Sequence, residues 1–143
     1  MASIKHLFHI NATIEKVYEA ISTIEGLSNW WTVQTNGNAA TSGIIQFRFN
    51  QTGCDMQVSL LTPNEEVAWT CVDGWPDWIG TTLTFQLDET DGKTRVRFEH
   101  TNWREVNDFF AGCSFSWGRF MESLRQYCQT GKGAAFGSNN YQA

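Results

Sequence analysis

The stretch RVRFEHTNW, residues 95–103, followed by CSFSWGRFMESLRQYC, residues 113–128, decides how this chain folds. Val96, Phe98 and His100 alternate with Arg95, Arg97 and Glu99, the two-residue period of a strand with one buried face. After Asn102-Trp103 the period changes. Cys113, Trp117, Phe120, Met121, Leu124 and Cys128 recur at helical spacing, with Arg119, Glu122, Arg125 and Gln126 on the opposite side. An amphipathic helix of about five turns follows, ended by Gly131. A sheet with one apolar face needs a cover, and this helix is the largest candidate for it.

Upstream, the strand period repeats. Phe47 and Phe49, then Cys54, Met56, Val58 and Leu60, then Val67, Trp69 and Cys71, then Leu83, Phe85 and Leu87 form apolar rows that alternate with polar ones. Turn residues separate them at Asn50 to Gly53, Pro63-Asn64 and Asp91-Gly92. The pattern is that of an antiparallel meander solvated on one side. Ser3 to Ile10 adds another strand, with Ile4, His6, Phe8 and Ile10 on one face. Between it and the meander, Ile14, Val17, Tyr18 and Ile21 mark a helix with Asn11 or Thr13 as cap. Gly26 reads as its stop, and Leu27 to Trp31 as a short second helix. Residues 32–43 are polar, carry Gly37 and Gly43, and read as a loop. The expected fold is α+β: six antiparallel strands around a long C-terminal helix, with two short helices after the first strand. Residues 1–132 form one domain, and residues 133–143 read as a flexible polar tail.

Composition narrows the function. The chain has 143 residues, and 10 Lys+Arg against 15 Asp+Glu give a net charge of −5. Without a basic run it lacks the counterion-release term that drives nucleic-acid binding. No segment approaches the ~20 apolar residues of a membrane span, and the start does not read as a signal peptide. The expectation is a cytoplasmic protein, monomeric or homodimeric, that neither binds nucleic acid nor inserts in a membrane. Cys54, Cys71, Cys113 and Cys128 form no CxxC, and the three histidines are scattered, so no metal or cofactor is expected.

The outstanding number is aromatic: 10 Phe, 7 Trp and 3 Tyr make up 14% of the chain. The inward rows place Phe47, Met56, Val58, Trp69, Phe85, Phe98 and His100 on the sheet, facing Trp117, Met121 and Leu124 on the helix. Either these side chains line a ligand cavity with His100 as its placed polar group, or they fill a solid core and His100 is satisfied internally. Trp31, Trp75, Trp78 and Trp103 fall at helix ends and loops, as a rim would. No GxSxG, HExxH, P-loop or GxGxxG occurs, and no carboxylate is aimed at His6 or His100.

The order of elements resembles the helix-grip (START-like, SRPBCC) superfamily, and more narrowly the branch homologous to the activator of Hsp90 ATPase. The local matches are Thr13-Ile-Glu-Lys-Val-Tyr-Glu-Ala-Ile21 and the tandem tryptophan of Gly26-Leu-Ser-Asn-Trp-Trp31. They continue with Val96-Arg-Phe-Glu-His-Thr-Asn-Trp103, and with Trp117, Leu124-Arg-Gln-Tyr127 and Gly131-Lys-Gly133 at the end of the last helix. The resemblance implies an apolar cavity between sheet and helix that holds a hydrophobic, lipid-like or polyketide-like molecule. It also admits an Hsp90-type chaperone as partner, or a cyclase or hydrolase working in the same pocket.

Overall fold

A computed structural model describes residues 1–142. Its elements are β1 (Ala2–Ile10), α1 (Ile14–Ser22), α2 (Ile24–Trp30), β2 (Gln34–Gly37), β3 (Ile44–Phe49), β4 (Thr52–Thr62), β5 (Glu66–Gly74), β6 (Thr82–Thr90), β7 (Lys93–Trp103) and α3 (Asp108–Thr130). The strands form one open sheet in the order β1-β7-β6-β5-β4-β3-β2, antiparallel throughout. The α+β architecture with a long closing helix is as expected, but the sheet has seven strands, not six. The additional strand is β2, inside the segment read as a loop. Its sequence QTNG has no apolar row, and only Thr35 is buried. Pairing with β3, rather than side-chain burial, makes it a strand.

The hairpins follow from turn chemistry. At β6–β7, Asp91 and Gly92 both have positive φ (52° and 77°), the type I′ geometry that matches strand twist. One parity is broken. The pairing of β4 with β5 shifts between Val58 and Leu60, a bulge that turns Leu60 out to 39% exposure although simple alternation puts it inside.

The two short helices share a hinge residue. Thr13 caps α1, and Thr23 ends α1 and caps α2 through its side chain, accepting from the Gly26 N–H. Gly26 is therefore not a stop but an interior residue of α2, and its role is close approach. A Cβ there would meet the Ala20 carbonyl oxygen at 2.6 Å. That proximity lets the Trp30 indole N–H donate to the same carbonyl at 2.9 Å, satisfying an acceptor at the end of α1.

The last helix behaves as its period dictates. Asn107 caps it, its Oδ1 accepting from the Phe110 N–H at 2.9 Å, a contact worth about 1 kcal/mol. Gly131 ends it at φ 86°, the left-handed conformation glycine tolerates best. Its buried residues, Trp117, Met121, Ser123, Leu124 and Cys128, all lie from Trp117 onward. After Gly131 the chain carries more structure than its polar composition indicates. Phe136 donates its N–H to the Trp31 carbonyl at 2.8 Å and accepts from the Val33 N–H at 3.0 Å. Ser123 Oγ accepts from the Ala134 N–H at 2.7 Å while donating to the Trp30 carbonyl.

Candidate functional site

The ten residues expected to line a cavity are all buried: Phe47, Met56, Val58, Trp69, Phe85, Phe98, His100, Trp117, Met121 and Leu124. Their rings meet one another. Phe85 and Phe98 centroids are 5.1 Å apart, Trp69 and Phe85 5.5 Å, Phe47 and Trp69 5.6 Å, and Phe98 and Trp117 4.6 Å. These are the edge and tilted arrangements that aromatic quadrupoles favour. Three of the four expected rim tryptophans are buried as well. Trp31 packs on Phe47 at 4.2 Å and on Trp117 at 4.9 Å. Trp78 sits against His100 at 4.5 Å, and Trp103 against His100 at 4.8 Å. Trp75 is half-buried and packs on Trp78 at 4.9 Å.

His100 holds the centre of this array. Thr81 Oγ1 donates its only proton to the Trp78 carbonyl at 2.6 Å. The 2.8 Å contact between Thr81 Oγ1 and His100 Nε2 must then have the histidine as donor. His100 Nδ1 accepts from the Trp117 indole N–H at 3.1 Å. The imidazole is thus the neutral Nε2–H tautomer with both nitrogens engaged. Desolvation supports this state, pushing its pKa from the ordinary 6.5 down to about 3. The residue ties β7, the β5–β6 connection and α3 together, and it has no lone pair left for a ligand.

The open space lies elsewhere, beside the first half of α3. A cleft of about 440 Å³ runs there. One wall is a single helical face, Phe109, Gly112, Cys113, Ser116, Trp117 and Phe120, with Asp108 at its start. Facing it are Trp75 and Trp78 from the β5–β6 connection, Trp31 and Phe49, and Phe136 and Tyr141 from the chain end. Of the expected ligand-binding residues only Trp117 reaches this cleft; of the expected rim, Trp31, Trp75 and Trp78 do and Trp103 does not.

The residues that sequence reading passed over were signalled in part. Phe49 closes an apolar row, and Phe120 stands three positions after Trp117. Gly112 and Ser116 keep the same helix face small. Nothing in the sequence pointed to Phe136 or Tyr141.

The far wall is fixed by polar contacts. Arg104 donates to the carbonyls of Pro76 and Ile79 at 2.6 and 2.9 Å. The Asn107 amide donates to Asp77 at 3.3 Å. The β5–β6 connection is thereby anchored to the segment that leads into α3.

Inside the cleft the chemistry is mild. Burial pushes the Cys113 thiol above its usual range, and the nearby Trp78 N–H partly opposes this. That N–H has no partner meeting hydrogen-bond geometry. Among the described residues no group of three His, Cys, Asp or Glu side chains is placed to hold a metal ion. No helix among them is long and apolar enough to cross a membrane. The arrangement can enclose an apolar, ring-bearing molecule. It offers no paired acid and base.

The family model for Activator of Hsp90 ATPase homolog 1-like proteins matches residues 11–129. The Aha1 protein of Colwellia psychrerythraea, solved as a dimer in solution, is 41% identical, with a TM-score of 0.86 over 93% of this chain and 100% of that one. A Bacillus halodurans protein is 26% identical, with a TM-score of 0.71 over 90% of this chain and 98% of that one. CalU16 from Micromonospora echinospora shares the fold, with a TM-score of 0.74 at 14% identity over 87% of this chain and 73% of that one. No curated protein matches the chain.

Proposed function

The chain belongs to the Activator of Hsp90 ATPase homolog 1-like family, and on that footing we propose that it binds a small hydrophobic, ring-bearing molecule in the cleft beside the first half of α3. The observation that carries this reading is the cleft wall: the rings of Trp31, Phe49, Trp75, Trp78, Phe109, Trp117, Phe120, Phe136 and Tyr141, interrupted by few polar groups. Its volume, about 440 Å³, falls within the ~300–1,000 Å³ of small-molecule sites, which are mostly apolar. Binding is preferred over a cyclase or hydrolase because His100, the candidate acid–base group, has both nitrogens occupied. The four cysteines are free thiols, which fits a reducing, cytoplasmic setting.

The test is a titration with 1-anilinonaphthalene-8-sulfonate, read by quenching of tryptophan emission and by native mass spectrometry. Four tryptophans line the cleft, so a bound probe quenches strongly and forms a one-to-one complex. Ser116→Trp fills the cleft and should weaken binding at least tenfold while leaving the circular dichroism spectrum unchanged. A wild-type protein that takes up no probe, or a filled variant that binds equally well, defeats the proposal.

The 41% identity to the Colwellia Aha1 protein favours a second reading, stimulation of an Hsp90 ATPase. Saturating protein should then raise the turnover of a cognate Hsp90 severalfold; an unchanged rate removes it. The same relative is a dimer, and a homodimer in sedimentation experiments is the corresponding expectation for this chain.

A further inference from the structure

A second groove, of about 700 Å³, lies along the outer side of α3. Its lining differs in character from the apolar cleft, with His6, Ser114, Arg119, Glu122 and Asn140 among its residues. The two grooves share Ser116, Phe120 and Tyr141. Tyr141 stacks on Phe120 with centroids 6.2 Å apart and planes 12° apart. It meets Phe136 edge-on at 5.2 Å, and the Arg119 guanidinium lies over its ring at 5.8 Å. The stacked pair therefore stands between the apolar cleft and a groove whose apolar lining carries added polar and charged groups.

Tyr141 arrives there by a defined route. Ser123 fixes Ala134, and Phe136 is bonded through its backbone to Trp31 and Val33. Past Phe136 the chain turns, with the Tyr141 N–H donating to the Ser138 carbonyl at 3.3 Å. This whole segment lies beyond residue 129, where the family match ends. Tyr141, one half of the wall, is thus supplied by a part of the chain that the family match does not cover, whereas Phe120 lies within it.

We propose that Tyr141, stacked on Phe120, sets the length of ligand the apolar cleft accepts, admitting a compact ring-bearing molecule and turning away an extended acyl chain. The proposal rests on the binding function given above. The physical reason is where methylenes can be covered. A compact molecule meets rings on several sides within the cleft. A chain that enters the cleft reaches the Phe120–Tyr141 wall, and the methylenes beyond it stay in water and add nothing. Each methylene that does become covered raises affinity about fourfold. Without the Tyr141 ring the two grooves run together. The chain then continues past Phe120, and its carboxylate finds Arg119, freed of its aromatic partner. The cationic group and the extra apolar length are both present in the molecule, and one ring keeps them from acting on one ligand.

The experiment uses the full chain as wild type, Tyr141→Ala and Tyr141→Phe, with laurate and 1-anilinonaphthalene-8-sulfonate as separate calorimetric titrants. The expected result is that Tyr141→Ala binds laurate at least tenfold more tightly than wild type. Tyr141→Phe, which keeps the stack, should behave as wild type toward both titrants, whereas Tyr141→Ala, which loses one ring of the cleft wall, should bind the naphthalene probe no more tightly than wild type, so that its preference for laurate over the probe rises at least tenfold. Wild type that binds laurate as tightly as Tyr141→Ala overturns the proposal, as does an alanine variant without any gain. Failure of wild type to bind the naphthalene probe is a separate outcome that counts against the binding function itself. The laurate comparison still decides whether Tyr141 is the dividing wall.

Discussion

Acidification should destabilise this protein through a single buried imidazole. His100 is fully buried and neutral, with its pKa held at about 3 against an ordinary 6.5. Below about pH 6.5 the unfolded chain takes up a proton at this residue and the folded one does not, so stability falls as the pH drops and stops falling near pH 3. Above pH 6.5 both states are neutral and the residue contributes no pH dependence. At pH 4.5, two units below the ordinary value, the loss is roughly 3 kcal/mol. That is a large share of a typical domain's ~5–15 kcal/mol. The bonding pattern points the same way. A protonated Nδ1 would face the Trp117 indole N–H, donor against donor, 3.1 Å apart.

The assay is urea unfolding at pH 7 and pH 4.5 for wild type and His100→Gln. The glutamine variant cannot titrate and retains an amide donor for Thr81. Other acid-sensitive groups are common to both proteins. Asp88 is hydrogen-bonded by Arg95 and Glu122 by Arg125, and both carboxyls are held low, so their losses cancel in the difference. The variant starts less stable at pH 7, because the Trp117 N–H loses its acceptor. The gap should close by roughly 3 kcal/mol at pH 4.5. Equal pH dependence in the two proteins, or an NMR titration placing His100 near 6.5, refutes the reasoning.

Two further substitutions probe the same framework. Thr81→Val removes the acceptor for His100 Nε2 and the donor to the Trp78 carbonyl, both buried, and should cost about 2–4 kcal/mol in urea unfolding; a cost under half that range would show that the two contacts are not a coupled network. Gly26→Ala would place a Cβ 2.6–2.9 Å from the Ala20 backbone and should cost about 1–3 kcal/mol through overpacking. A neutral or stabilising effect in thermal unfolding would mean that α1 and α2 are free to separate.

Much of the fold was legible because alternation and helical spacing report burial directly. Phe47, Trp69, Phe85, Phe98 and Trp117 are each on the face that their spacing assigns. The departures have local causes. β2 carries no apolar row for pairing to follow, and the bulge after Val58 reverses the parity of Leu60 without any sequence mark. Gly26 reads as a stop because glycine often ends helices, whereas here it lets two helices touch. The candidate site was less legible for a different reason. Periodicity says that a ring points inward, but not whether it meets another ring or a space. Phe98 and Phe85 meet each other, and so do Trp31 and Phe47. The contribution of Tyr141 depends on the chain's return path after Gly131, which no local pattern encodes.

Why a space survives at all follows from the two halves of α3. From Trp117 onward, Trp117, Met121, Leu124 and Cys128 are buried and belong to one continuous core. In the first half the face that lines the cleft carries Gly112 and Ser116, both small and exposed. Trp75 and Trp78 come between the helix and the sheet on a connection anchored by Arg104 and Asn107, while His100 ties Trp117 to Thr81 beneath them. Trp75 touches Phe109 of the helix and Phe49 of β3, and Trp78 touches Trp117 of the helix and His100 of β7, so both rings are packed between the two layers. The large rings are therefore both the props and the lining of the cleft, which is why a chain so rich in aromatic residues can have a filled core and an open site together. Enlarging Gly112 or Ser116 should close the site without touching the core, whereas shrinking Trp78 should let the helix settle. The first change acts on binding alone, and the second on binding and stability together.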